Sequence, residues 1–428
     1  MNRRFIAIVS LLVLCVSLVS CKRAEPPATA AADLAKAASV PAATPAPAEP
    51  QATEAGKKPP VDFEQLAQRL VANAGVKEGE IVLVAGQMQD AELLEDIAVN
   101  VRKAGAFPLV EYGSDRLSKR LFFDVPEKYD AQTDAAGMKL AGVVNAIITV
   151  SDSMTEDLFD GADPDRLATR GKANEAVGKE FIKRNVRTVE LGNGFYPTAW
   201  RAARYQMPQG DLSKMFWEGV NVDFADLQTR GEQVRTALAA GNELHISNPN
   251  GTDFKVRVQA RPVLVSDGVI SAEDMKKGGA SVAVYLPAGE VYTTPVPGTA
   301  EGKIIHTKDF YRGKQIDNLT LIFVAGKLAS MSGSGPGYAE YKADYDAVPD
   351  ARKDLFGFVD LGINPNVKLP ASSQVGSWVP AGTITVGTGN NTWAGGDNSV
   401  SYGMTVYLPG STVMLDGKAI IENGELKI

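Results

Sequence analysis

The chain has 428 residues, of which 44% are hydrophobic and 22% charged, and its formal net charge at pH 7 is −7. This mildly acidic balance, without a basic patch that carries interleaved aromatic residues, argues against nucleic-acid binding. Apart from the N-terminus the sequence has no long apolar run, and positions 61–428 are enough for two globular domains.

The first 21 residues have the pattern of a bacterial export signal. Two arginines precede an almost wholly apolar run at positions 5–19, which is too short for a comfortable membrane span. The run ends in Leu18-Val19-Ser20-Cys21, which resembles a lipobox, the site at which the cysteine is acylated and becomes the new N-terminus. An ordinary secretory signal with an incidental cysteine is the alternative.

An acylated Cys21 would anchor the protein to a lipid bilayer. Cys15 would be removed with the signal, so the mature chain could not form an internal disulfide. Lys22 stands where a retention signal of the inner membrane would have Asp. We therefore expect a location in the bacterial cell envelope, at the outer membrane and facing the periplasm.

Three segments follow the export signal. Residues 22–60 are rich in Ala, Pro, Thr and Glu and cannot bury enough apolar surface to fold, so they are expected to form a disordered tether. Residues 61–235 are expected to form an N-terminal α/β domain, and residues 236–428 a mainly β C-terminal domain.

The N-terminal domain shows alternating strand and helix patterns. Asp62 is a candidate helix cap, 80–84 reads as a buried strand, 91–104 as an amphipathic helix and 107–112 as the next strand. The same unit recurs between 146 and 191, which predicts a mostly parallel sheet with helices on its faces. The turn after the first strand lacks the glycines of a phosphate-binding or dinucleotide-binding loop, so no cofactor is predicted there.

The second half reads as short strands with one helix near 338–348. The dipeptides Asp416-Gly417 and Asn423-Gly424 predict tight hairpins. His245 and His306 both fall on predicted strands, where a structural role is expected. No histidine occurs after His306.

The order of several motifs resembles the thermophilic aminopeptidase T family of metallopeptidases. The motifs are Phe195-Tyr196-Pro197-Thr198, Gly251-Thr252-Asp253-Phe254, Gly289-Glu290-Val291-Tyr292-Thr293-Thr294-Pro295, Leu361-Gly362-Ile363-Asn364-Pro365 and Asp416-Gly417-Lys418. The resemblance implies an α/β domain followed by a β-rich domain that binds two metal ions. It also implies a homodimer that releases N-terminal amino acids from peptides.

The resemblance places only two carboxylates at metal-ligand positions. Glu290 matches a family ligand with both flanks intact. Asp360 takes the position of a second ligand when the chain is aligned from Leu361, whereas Phe358 takes it when the count runs back from Asn364. Phe358 and Asp360 are two residues apart, so on a strand they point to the same face.

The family's other ligands have no counterpart here. Thr385 stands where the family has a histidine, and Trp378 falls in the place of an upstream acidic pair. The last ligand pair falls within one residue of Tyr402-Gly403-Met404, and none of these positions holds a His or an Asp. Trp393 lies nearby in a Gly/Asn-rich loop, which reads either as an ordinary loop or as the lip of a cleft.

Two divalent ions close together need several anionic or imidazole ligands, so no dinuclear metal cofactor is expected; a single weakly bound divalent ion at Glu290 and Asp360 stays open.

Two functions are consistent with these residues. The first is a cell-envelope lipoprotein that keeps the aminopeptidase fold without dinuclear catalysis, with the old cleft either binding peptides or plugged by Phe358 and Trp378. The second is an active aminopeptidase with a rebuilt, carboxylate-ligated metal site.

Overall fold

The computed structural model describes residues 61–151, 153–370, 373, 375–400 and 402–428. The export signal, Cys21 and the 22–60 segment lie outside the described residues. The helices are α1 (Phe63–Asn73), α2 (Ala91–Lys103), α3 (Asp115–Phe123), α4 (Ala135–Val143), α5 (Pro164–Lys183), α6 (Ala199–Arg204), α7 (Gln209–Val220), α8 (Phe224–Ala240), α9 (Ala272–Lys277) and α10 (Tyr338–Ala347). None of these helices is long and apolar enough to cross a membrane.

The strands follow the same chain order. They are β1 (Ile81–Gln87), β2 (Phe107–Gly113), β3 (Ala146–Val150), β4 (Arg187–Leu191), β5 (Glu243–Asn248), β6 (Thr252–Arg257), β7 (Val263–Ser266), β8 (Ala283–Leu286), β9 (Glu290–Thr293), β10 (Glu301–Tyr311), β11 (Lys314–Val324), β12 (Lys327–Ser334), β13 (Phe356–Gly362), β14 (Ile384–Gly389), β15 (Gly403–Leu408), β16 (Thr412–Leu415), β17 (Lys418–Glu422) and β18 (Glu425–Leu426).

The first sheet is parallel and confirms the predicted α/β class. Its strand order is β2-β1-β3-β4-β8, and the four neighbouring pairs all run parallel. Helix α1 begins where the sequence predicted, because the Asp62 side chain accepts a hydrogen bond from the Gln65 backbone amide at 3.0 Å. The fifth strand, β8, comes from the second half of the chain, so the first sheet is completed by residues far along the sequence.

Two further sheets fill the second half and confirm its β-rich character. One has eight strands in the order β12-β11-β10-β6-β5-β16-β17-β18, and the other five in the order β15-β14-β13-β9-β7. Asp416 and Gly417 both have positive φ in the turn between β16 and β17, as the predicted hairpin requires. We call the sheet with the order β15-β14-β13-β9-β7 the site sheet, because it carries all the strands on which candidate ligands were predicted.

Helix α8 packs on the site sheet at its β7 edge. A Cβ atom at Gly231 would lie 2.6 Å from the Val265 side chain, so a glycine lets the helix approach this closely. One face of the sheet presents apolar side chains such as Val291, Val359 and Val386 to the main hydrophobic core. The opposite face carries polar side chains together with aromatic side chains that pack into the same core.

Candidate functional site: two buried carboxylates beneath an aromatic cluster

Glu290 lies where the chain passes from the parallel sheet to the site sheet. β8 ends at Leu286, a cis peptide bond joins Leu286 to Pro287, and β9 begins at Glu290. Between them Gly289 has a φ of +126°, and a Cβ there would lie 2.8 Å from the backbone nitrogen of Asn364. Only glycine tolerates both conditions, which explains the Gly-Glu pair.

The Glu290 side chain is fully buried. The Asn193 amide donates one hydrogen bond to Glu290 Oε1 at 2.8 Å and another to the Pro287 carbonyl at 3.0 Å. Asn193 follows the carboxyl end of β4 with a positive φ of 45° and is itself buried. The carboxylate is therefore oriented from the parallel sheet, and Ser266 on β7 lies directly opposite it in the strand register.

Asp360 lies at the centre of the site sheet and is also fully buried. Its neighbours in register are Tyr292 on β9 and Thr385 on β14, and Tyr407 on β15 lies opposite Thr385. Glu290 pairs with Gly362, two residues beyond Asp360 on the same strand. The two carboxylates thus lie on one face of adjacent strands as diagonal neighbours, a relation that places Cβ atoms about 7–8 Å apart or less.

Large aromatic side chains occupy the same face. Phe358 and Trp393 have ring centroids 4.8 Å apart in an edge-to-face arrangement, and the Phe358 and Trp378 centroids are 5.7 Å apart. Trp378 also contacts Tyr407 at 5.5 Å, and Trp393 contacts Tyr292 at 5.3 Å. We call these five residues the aromatic cluster; their exposed fractions lie between 1% and 7%, so they fill this face and do not line an open surface.

The loop that carries Trp393 is held by asparagine side chains. The Asn391 side chain donates to the Gly357 carbonyl at 3.0 Å and accepts from the backbone N–H of Asn398 at 2.9 Å. The Asn398 side chain donates to the Gly389 carbonyl at 2.9 Å. These bonds replace the backbone ladder that an irregular segment lacks. The Gly/Asn-rich composition therefore reflects a fastened loop that seats Trp393 in the cluster.

A family profile described as thermophilic metalloprotease (M29) matches residues 61–335. The chain belongs to this family. Wild-type AmpT from Thermus thermophilus shares the fold with a TM-score of 0.64 at 16% identity, and the match covers 86% of this chain and 99% of the AmpT chain. The second neighbour is 2,5-dihydroxypyridine dioxygenase from Pseudomonas putida KT2440, with a TM-score of 0.56 and 15% identity over 87% of this chain and 98% of the dioxygenase chain. No curated protein matches the sequence.

The matched range ends before β13. Of the candidate site residues, only Glu290 lies inside it; Phe358, Asp360, Trp378, Thr385, Trp393 and Tyr402 lie beyond its end. The part of this M29 chain that should complete a metal centre is thus the part that the family profile leaves unmatched.

The side chains present do not fit the pair of metal ions that the aminopeptidase T resemblance implies. In the described residues no group of three or more His, Cys, Asp and Glu side chains is placed to hold a metal ion. Around Asp360 the positions across the strands hold Tyr292 and Thr385, and Thr385 is buried with a hydroxyl that makes no hydrogen bond within the described residues. A threonine hydroxyl and phenol rings are poor substitutes for imidazole or carboxylate ligands.

Tyr402 and His245 lie in other surroundings, whereas the centroid of the His306 ring lies 6.4 Å from that of Tyr407 in the aromatic cluster. The Tyr402 ring contacts Tyr345 of helix α10 at 5.6 Å, and burial raises the pKa of its hydroxyl. His245 and His306 are on β5 and β10 of the eight-stranded sheet. His245 is paired with Asp253 at 2.7 Å, and buried His306 has Nδ1 3.6 Å from the Asp309 carboxylate.

Three residues of this face were not identified from the sequence. Tyr292 could have been, because it is two residues after Glu290 on a strand and so shares its face. Identifying Tyr407 required knowledge of how β14 pairs with β15. Asn193 required the tertiary fold, since its only local signal is an asparagine after a predicted strand.

Proposed function

We propose that this protein is a lipid-anchored cell-envelope member of the M29 family that has lost dinuclear metal catalysis. The observation that carries the proposal is the aromatic cluster, which fills the face on which Glu290 and Asp360 lie. Trp378 falls in the place of the family's upstream acidic pair, and Phe358 takes a ligand position when the count runs back from Asn364; both are buried among other rings.

The chemistry of the donor set supports the same conclusion. Paired divalent ions in hydrolases lie about 3.5–4 Å apart, and their mutual repulsion must be offset by several anionic ligands. Glu290 and Asp360 supply two carboxylates. Across the neighbouring strands β14 and β15, the residues in register with Asp360 are Thr385 and Tyr407, so neither of these positions supplies a further carboxylate.

The alternative to a filled site is an open cleft, which would serve either peptide binding without catalysis or aminopeptidase activity at a rebuilt, carboxylate-ligated metal site. The retained carboxylates favour it, because Glu290 and Asp360 on adjacent strands are suited to a peptide ammonium group or to one hard cation with water. Peptide entry would require Trp378 and Trp393 to move from their present contacts. The fully packed cluster is why we rank this candidate second.

The test uses the mature chain, residues 21–428, purified without chelator. Metal content is measured by mass spectrometry, and release of leucine and alanine from chromogenic reporters is followed with and without added zinc, cobalt or manganese. We expect less than one tightly held ion per chain and no metal-dependent release. Glu290→Gln is the matched variant, because it removes the charge and keeps the size.

Two results would contradict the proposal. The first is two tightly bound ions per chain. The second is release of N-terminal residues that a chelator and Glu290→Gln both abolish; this would establish the rebuilt metal site. Binding of a free peptide without turnover, weakened by Glu290→Gln, would instead support the peptide-binding alternative.

A further inference from the structure

The parallel sheet has the strand order and helix placement of a doubly wound fold. In the order β2-β1-β3-β4-β8, helix α2 packs on the face of β1 that carries Val84 and Gly86, whereas α5 packs on the face that carries Leu83 and Ala85. The chain therefore leaves β1 and β3 toward opposite faces of the sheet. Open α/β sheets bind ligands in the crevice that forms at such a point, at the carboxyl ends of the strands.

Side-chain contacts join the loops around this crevice. The Tyr196 hydroxyl, in the loop after β4, donates to the Asp90 carboxylate after β1 at 2.6 Å. The Trp200 indole N–H donates to the Ser153 carbonyl, in the loop after β3, at 2.9 Å. With one residue from the end of β1 and one that follows β2, these side chains ring the strand ends. We call the ring the switch crevice: Gln87, Asp90, Asp115, Ser153, Tyr196 and Trp200.

Two members of the ring carry buried oxygens that lack a donor. Asp115 Oδ2 accepts a hydrogen bond from the Thr155 backbone N–H at 2.8 Å, whereas Oδ1 accepts none from the residues that the structure describes. Within the same described ranges, Gln87 Oε1 is also buried and unpartnered, and a Cβ at Gly113 would lie 3.6 Å from it. Buried acceptors in proteins are nearly always hydrogen-bonded, so this pair of oxygens calls for a donor.

The charges at the crevice exclude the phosphate that such sites often hold. Asp90 stands at the N-cap of α2, and its side chain makes no hydrogen bond to the described first turn of that helix. Asp115 is the first residue of α3. The starts of two helices would attract an anion, but here each start already carries a carboxylate that would repel a phosphate.

The basic side chains near the crevice have other contacts. Arg204 forms an ion pair with Glu156, and Arg201 donates a hydrogen bond to the Tyr196 carbonyl at 3.1 Å. Arg116 is exposed and points about 100° away, around the axis of α3, from the residue before it. The six residues of the switch crevice thus include two carboxylates and no basic side chain, which favours a cationic ligand.

Two methionines add an apolar rim. Met88 follows Gln87 directly and is 66% exposed, and Met154 follows Ser153 and is 50% exposed. Flexible thioether side chains adapt to apolar groups of different shape. A ligand that suits both the oxygens and the rim carries an ammonium group and a short apolar chain.

We propose that the switch crevice binds small primary amines with an apolar side chain, such as an amino acid amide. The ammonium group donates hydrogen bonds to Asp115 and Gln87, and the apolar chain lies against Met88 and Met154. The proposal does not depend on whether Glu290 binds a metal ion, because none of the six residues belongs to the site sheet.

Isothermal titration of the mature chain with leucinamide tests the proposal. We expect millimolar or tighter binding that weakens at least about tenfold in Asp115→Asn, because a hydrogen bond to a charged group is lost while the oxygen that accepts from Thr155 is kept. N-acetyl-leucinamide, which has no ammonium group, should bind as weakly. Asp226→Asn is the matched control, because Asp226 is an exposed carboxylate in the first turn of α8; it should bind leucinamide as the parent does.

A second variant and a spectroscopic readout locate the ligand. Gln87→Met removes the other acceptor at nearly constant size and should also weaken binding. In protein with ¹³C-labelled methionine methyl groups, leucinamide should shift the resonances of Met88 and Met154, which Met88→Leu and Met154→Leu assign. Urea unfolding of each variant checks that the fold is retained.

Several results would overturn the proposal. They are no leucinamide binding at millimolar concentration, tighter binding of inorganic phosphate than of leucinamide, and equal losses of affinity in Asp115→Asn and Asp226→Asn. Leucinamide binding that Glu290→Gln weakens and Asp115→Asn leaves unchanged would place the amine in the old cleft. That result would refute the switch crevice as an amine site and support the peptide-binding alternative.

Discussion

Replacing Trp378 by alanine distinguishes a filled site from an open one. Trp378 is 2% exposed, and its ring contacts Phe358, Trp393 and Tyr407 at centroid distances of 5.5–5.9 Å. Truncating a buried tryptophan costs about 3–5 kcal/mol, because transfer free energy is lost and a cavity remains. Phe358 and Tyr407 are held on strands and cannot collapse far into the space, so we expect a loss of about 4 kcal/mol in the free energy of unfolding.

The assay is urea unfolding of the mature chain, followed by circular dichroism and by tryptophan fluorescence. Trp378→Phe should recover a large part of the loss, since it keeps a ring in the cluster. Phe107→Ala is the aromatic control; its side chain is 52% exposed, and its removal should change the unfolding free energy by less than about 1 kcal/mol.

A particular result would refute this reasoning. If Trp378→Ala unfolds with nearly the parent free energy, the ring does not support the core. If the same variant also loses affinity for a peptide that the parent binds, Trp378 acts as a wall of a working cleft, and the peptide-binding candidate is correct.

Four further outcomes are expected. Radiolabelled palmitate should enter the parent chain and not Cys21→Ala; equal labelling of both would end the lipoprotein proposal. On family grounds, the body that begins near Val61 should be a dimer by light scattering, and a monomer at high concentration would exclude this. Hydrogen bonding to Lys103 lowers the pKa of Glu64 to about 2, so its contribution to stability is present above about pH 4.5 and lost as the pH falls toward 2; Glu64→Gln should therefore lose less stability than the parent over that range. Finally, Glu290→Gln should not lower the free energy of unfolding, because the glutamine oxygen can still accept the Asn193 hydrogen bond and the buried carboxylate is removed.

Patterns of local origin were predictable from the sequence. The parallel sheet followed from repeated strand–helix alternation, and the two C-terminal hairpins from Asp416-Gly417 and Asn423-Gly424, whose positive φ values such turns require. The alternation of strand faces also predicted that Phe358 and Asp360 point the same way, which the register of β13 bears out.

Long-range strand pairing was not predictable. β8 reads as an ordinary short strand, yet it completes the first sheet beside β4, because the chain turns at Pro287 and Gly289 and enters the site sheet at Glu290. β9, which begins at Glu290, lies between β13 and β7, and Glu290 is fully buried. A period-two pattern reports which face a residue takes and contains no information on which strand will pair beside it.

Aromatic filling of the site does not explain why a buried carboxylate stands at Glu290. The effect of Glu290→Gln distinguishes a carboxylate that no longer binds metal, which we call a remnant, from one that is a working metal ligand. Metal-bound carboxylates commonly accept a second hydrogen bond from an outer donor, and the Asn193 amide stands in that relation to Glu290 at 2.8 Å. A glutamine oxygen accepts the same bond, and the substitution removes the desolvation cost that an ionised carboxylate bears in a buried site. In a remnant site the substitution should therefore leave stability equal or higher, and added zinc should stabilise neither protein. A working ligand predicts the reverse: zinc raises the melting temperature of the parent, and Glu290→Gln abolishes the increase.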